Sequence, residues 1–62
     1  MISLNMPIDL IVSILNTYLR SKYKSLVDLC EYESLDLDEL IHKLTENAYE
    51  YNEEINQIKY QK

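Results

Sequence analysis

Sixty-two residues carry 6 Lys and Arg against 11 Asp and Glu, a formal net charge of -5. A chain this short buries only about 60% of the surface its unfolded form exposes. Its 47% hydrophobic content fits one small globular domain over residues 1–62 rather than a disordered chain. The acidic balance argues against a nonspecific nucleic-acid or anionic-membrane surface, and one cysteine with one histidine supplies neither a structural zinc site nor an internal disulfide.

The fold class read from the pattern is mainly α: three short helices (about 7–21, 25–32 and 36–47) in a helix-turn-helix-like arrangement, then a C-terminal β-hairpin (about 48–51 and 55–60). Residues 1–5 read as a loose N-terminal lead-in. Pro7 suits the first turn of a helix, with Asn5 or Met6 as its cap. On a helical wheel Ile8, Leu10, Ile11, Val12, Ile14, Leu15, Tyr18 and Leu19 span roughly 200°. So wide an arc demands burial on two sides, which makes the first helix either the centre of the domain or half of a dimer interface.

Ser25 caps a second helix whose Leu26, Leu29 and Cys30 share one side. Asp36, with Glu39 three residues on, opens a third in the manner of a capping box. There Leu37, Leu40, Ile41 and Leu44 form the apolar stripe, expected to be buried with Leu29 against the first helix. Asp38, Glu39, His42, Lys43 and Glu46 take the other face, and Asn47 serves as a left-handed terminator. The period then changes to 2: Tyr49 and Tyr51, a turn over residues 52–54, and Ile58 with Tyr60. A lone hairpin is marginal, so it must lie on the helices. Gln61 and Lys62 are tail. The longest apolar stretch is broken by Asp9, Ser13, Asn16 and Thr17, so neither a signal peptide nor a membrane span fits. With no glycine in the chain there is no phosphate-cradling loop, and no cofactor is expected.

The run Asn16-Thr17-Tyr18-Leu19-Arg20, then Tyr23, Ser25-Leu26, Leu29-Cys30, Leu40, Leu44, the pair Tyr49 and Tyr51, and Asn56-Gln57 resembles a family of small bacterial proteins of about this length, classed as a domain of unknown function. The likeness runs from Pro7 to Ile58. Ser21 stands where that family favours Asp, Glu33 where it favours leucine, and its members tend to begin close to Met6. The resemblance implies a bacterial source and carries no biochemical activity with it.

Five residues make the candidate interaction face: Asp9, Asn16, Arg20, Asp38 and His42. The first three, with Ser13, lie at helical spacings on one polar stripe, which reads either as a recognition surface or as the wet side of the helix with Asn16 or Arg20 capping a neighbouring turn. Cys30 lacks a basic neighbour within a helical turn and reads as a small buried hydrophobe. His42, among Asp38, Glu39, Lys43 and Glu46, reads as solvated, with no Ser, Cys or second His at a workable spacing for catalysis. Six tyrosines with no Phe or Trp suit half-buried or interface positions. Tyr18 should be core and Tyr32 exposed. A tyrosine platform for single-stranded nucleic acid would need a basic groove, which the charge pattern lacks.

The functional expectation is a noncatalytic protein-interaction module or small self-associating domain, with a protein partner or a second copy, no membrane, and no nucleic acid. An unpaired cysteine without an export signal points to the cytoplasm. Two rival readings are a winged-helix-like transcriptional regulator, with Lys22, Lys24, Lys59 and Lys62 as its positive residues, and an acidic inhibitor that mimics DNA. A helix-turn-helix that reads DNA presents Lys and Arg to phosphates, and the third helix offers only Lys43.

Overall fold

A computed structural model describes residues 2–61; Met1 of the lead-in and Lys62 of the tail lie outside the described residues. Three helices, α1 (Ile8–Ser21), α2 (Leu26–Glu33) and α3 (Leu37–Glu46), precede a two-stranded antiparallel hairpin of β1 (Tyr49–Asn52) and β2 (Gln57–Tyr60). In the hairpin Tyr49 faces Tyr60 and Tyr51 faces Ile58. Element order and type are those the sequence pattern predicts.

Helix α1 is the central element. Ile11, Val12, Leu15 and Leu19 are buried along it, and they meet Leu26, Leu29 and Cys30 of α2, Leu40 and Leu44 of α3, and Ile58 of β2 in one core. β2 lies along one flank of α1 and α2 along another, while β1 runs beside α3. Most of the wide apolar arc is therefore covered within one chain. The exception is Leu10, 48% exposed, and the arc no longer requires a second copy to cover it.

The lead-in is not loose. Ile2 is 3% exposed, and Leu4 and Met6 pack beside it, so three apolar residues within five positions close one side of the core. Pro7 stands one position earlier than expected: it is the N-cap itself, its carbonyl accepting from the N–H groups of Leu10 and Ile11. Its fixed φ of -57° costs nothing there, and no N–H is lost.

Both polar caps form as expected. The Ser25 hydroxyl accepts from the Asp28 N–H at 3.2 Å and the Asp36 carboxylate from the Glu39 N–H at 3.2 Å, each satisfying one orphan donor of its helix. The terminator of α3 is displaced by one residue. Asn47 has φ -106°, and it is Ala48 that takes the left-handed conformation, at φ 64°. Asn47 instead donates its side-chain amide to the Lys43 carbonyl at 2.8 Å. With no glycine in the chain, the three left-handed positions among the described residues fall to Ser34, Ala48 and Asn56, and for alanine that conformation is strained.

The apolar stripe of α3 is narrower than expected. Leu40 and Leu44 are fully buried, Leu37 is half-buried, and Ile41 is 40% exposed. The hairpin turn also lies later, over residues 53–56, which leaves Ile55 in the turn and exposed. Tyr60 shares a strand face with Ile58 yet reaches past the helices into solvent, its ring edge-on to Tyr49 with centroids 5.4 Å apart.

Candidate functional site

The polar stripe of α1 carries the hairpin. Asn16 projects beside β2, where its side-chain amide donates to the Ile58 carbonyl at 3.1 Å and its carbonyl accepts from the Ile58 N–H at 2.7 Å. Those two backbone groups point away from β1, towards the open edge of the sheet, so one asparagine stands in for the missing neighbouring strand. Arg20, one turn further along, donates to the Gln57 side-chain carbonyl at 3.3 Å, and Gln57 donates back to the Asn16 main-chain carbonyl at 3.2 Å. At the other end of the stripe the Tyr49 hydroxyl donates to Asp9 at 3.3 Å, and burial followed by the Asp9 charge raises the Tyr49 pKa.

The turn clamps the corner between α1 and α2. Asn56, in the left-handed conformation that asparagine tolerates, donates to the carbonyls of Leu19 at 2.8 Å and Tyr23 at 3.1 Å. The first of these is an orphan acceptor at the end of α1. Tyr51 donates to the Asn56 side chain at 2.5 Å and accepts from the Leu26 N–H, an orphan donor at the start of α2, at 3.3 Å. Asn16, Arg20, Tyr51, Asn56 and Gln57 are among the residues that carry the family likeness. Here they form one network tying the end of one helix, the start of the next and a strand edge together. Their residue types are set by hydrogen-bond geometry within the fold.

The five candidate residues thus divide. Asp9, Asn16 and Arg20 are engaged by the hairpin, whereas Asp38 and His42 stand exposed on α3, with His42 3.3 Å from Glu46. The structure does not gather them into one face. Cys30 is buried, and loss of solvation, followed by the Asp36 charge, raises its pKa, the opposite of what a reactive thiolate needs. Among the described residues no group of three His, Cys, Asp or Glu is placed to hold a metal ion, and no helix is long and apolar enough to cross a membrane.

Among the described residues, two concave surfaces stand out. One, about 500 Å³ and wide open, lies at the α1–α2 corner. Tyr23 and Tyr32 stack there, with centroids 5.8 Å apart. Lys22 lies 3.8 Å from Glu33 and over the rings of Tyr18 and Tyr23. Glu33 also accepts from the Tyr23 hydroxyl at 2.5 Å, and that bond, with desolvation, pushes the Tyr23 pKa up to about 12.

The other, about 380 Å³, is a groove between α2, α3 and the hairpin. Val27 and Leu26 form its α2 side, Leu37 and Ile41 its α3 side, and Tyr51 with Glu53 its hairpin side. Val27 is 51% and Ile41 40% exposed, so an apolar residue stands half-naked on each bank. Sequence reasoning missed this groove, although one signal was available. Val27 sits about 100° around the helix from Leu26, outside the stripe of Leu26, Leu29 and Cys30.

The chain is thus a three-helix domain stapled by an antiparallel hairpin, with its polar motif residues spent on the staple. The family model described as Domain of unknown function (DUF4250) matches residues 5–58, and the chain belongs to that family. No curated protein and no solved structure gave a match.

Proposed function

We propose that the protein is a noncatalytic protein-interaction module acting in the cytoplasm, and that the α2–α3–hairpin groove receives an apolar segment of a partner protein. The observation that carries this reading is the pairing of Val27 and Ile41, half-exposed across a groove floored by the buried Leu26. A small domain gains stability by burying such residues, and their exposure at one place marks a contact surface. The noncatalytic reading is supported by what the reactive side chains are doing: Cys30 lies in the core, and His42 lies beside Glu46 on the solvent side of α3. Duplex DNA is a poor partner, because the exposed side of α3 carries Asp38, Glu39 and Glu46.

A photo-crosslinking residue placed at Val27, and in a parallel protein at the exposed Ser13 of α1, tests the reading in cells. The expected result is a discrete crosslinked protein from position 27 and none from position 13. Equal crosslinking at both positions, or none at 27, refutes it.

A further inference from the structure

The segment before α1 is attached to the domain by different means from the hairpin. Ile2 belongs to the core, and Leu4 and Met6 pack against it, yet among the described residues the hydrogen bonds of residues 2–6 stay within the segment. The Met6 N–H donates to the Ser3 carbonyl at 3.1 Å, the Ser3 N–H to the Met6 thioether at 3.4 Å, and the Asn5 N–H to the Ser3 hydroxyl at 3.3 Å. These bonds fold the segment on itself and reach neither a helix nor the hairpin. The hairpin, by contrast, is held by polar bonds from Asn16, Arg20 and Asn56 as well as by the burial of Ile58.

Pro7 is the joint between segment and domain. Its ring fixes φ at -57°, and its carbonyl already accepts from Leu10 and Ile11, so α1 can begin whether or not the residues before it are seated. The family match starts at residue 5, after Ile2 and Leu4. Unseating the segment therefore exposes apolar side chains but breaks no polar bond to the described remainder of the fold.

We infer that residues 2–6 form a strap that opens and closes over the core as a unit of its own, while the three helices and the hairpin stay folded. Local opening is expected where a segment is tied to the fold by a few side chains only. Closed, the strap hides the apolar seat of Ile2; open, it uncovers that seat and releases Ile2 into solvent. The device goes beyond the interaction reading, since none of its residues lines the groove of Val27 and Ile41.

The chain carries its own reference for a test. Cys30 is 4% and Ile2 3% exposed, so a thiol at either place is shut off in the closed fold, and only the motion that uncovers it differs. The full chain with Ile2→Cys is treated with a small alkylating reagent under native conditions. Each site is followed by peptide mass mapping, and its rate is divided by its own rate in the urea-unfolded chain. Position 2 is expected to react about a hundredfold faster than Cys30, because strap opening suffices for it whereas Cys30 waits for the core to separate. Urea below the melting midpoint should speed Cys30 steeply and position 2 little, since opening the strap exposes little surface. Equal protection of the two thiols, or an equal response to urea, overturns the inference.

A second variant tests whether the domain stands without the seated strap. The full chain with Ile2→Ser and Leu4→Ser is expected to keep the amide shifts of α2, α3 and the hairpin and to melt cooperatively at a lower temperature. Loss of those shifts makes the segment an integral part of the core and overturns the inference.

Discussion

Removing the Asn16 side chain tests the staple directly. Asn16→Ala deletes two hydrogen bonds to Ile58, at 2.7 and 3.1 Å, worth about 0.5–1.5 kcal/mol each, and strands a buried N–H and C=O at about 1–3 kcal/mol apiece if water cannot reach them. Asn16 is itself half-buried, so water enters part of the vacated space, and a net loss of about 2–3 kcal/mol follows. A domain of this length has roughly 3–9 kcal/mol in all, and at about 4–8 °C per kcal/mol the melting midpoint should fall by about 10–20 °C. Asn16→Asp keeps the acceptor for the Ile58 N–H but turns a carboxylate oxygen towards the Ile58 carbonyl, and should cost at least as much despite its nearly identical shape. Thermal melting by circular dichroism measures the midpoint, and hydrogen exchange of the Ile58 amide reports the bond itself. A midpoint within about 2 °C of the unmodified protein, where the loss should be five or more times that, would falsify the strand-edge role, as would unchanged Ile58 exchange.

Leu40 is fully buried between the helices, so Leu40→Ala should cost about 2–5 kcal/mol and largely unfold the chain in a urea titration; an unchanged midpoint would remove Leu40 from the core. Ala48→Gly should stabilise by about 0.5–1 kcal/mol, because φ 64° burdens an alanine more than glycine's extra chain entropy does; a lower melting midpoint would contradict this. Tyr23, with its pKa pushed up to about 12 through Glu33, should be late to ionise in an absorbance titration. A raised tyrosine pKa favours the fold below the unfolded value of about 10, and that contribution is lost as pH rises towards 12. Glu33→Gln should bring the titration back towards the ordinary range, and an unmoved curve would sever the link to Glu33. Anisotropy with random duplex DNA at about 0.15 M salt should show no binding, and a tight complex with a steep salt slope would count against the acidic reading of α3.

The sequence by itself determined what depends on neighbours a few residues apart. Apolar spacing placed three helices, Ser25 and Asp36 marked two of their starts, and the change to period 2 after Asn47 marked the hairpin, because caps and amphipathic stripes act within one or two turns. It also placed Cys30 in the core and Tyr32 in solvent. It could not say what Asn16 and Arg20 do, since a polar side chain on a helix looks the same whether water or a strand edge satisfies it. Only the packing of β2 along α1 brings Ile58 to Asn16 across 42 positions of sequence. The groove was hidden for the same reason. Val27 and Ile41 lie at the margins of their apolar stripes, and whether a margin is covered depends on how far apart α2, α3 and the hairpin come to rest. That spacing is fixed by core packing and by the Tyr51–Asn56 clamp, both of which exist only once the chain has closed on itself.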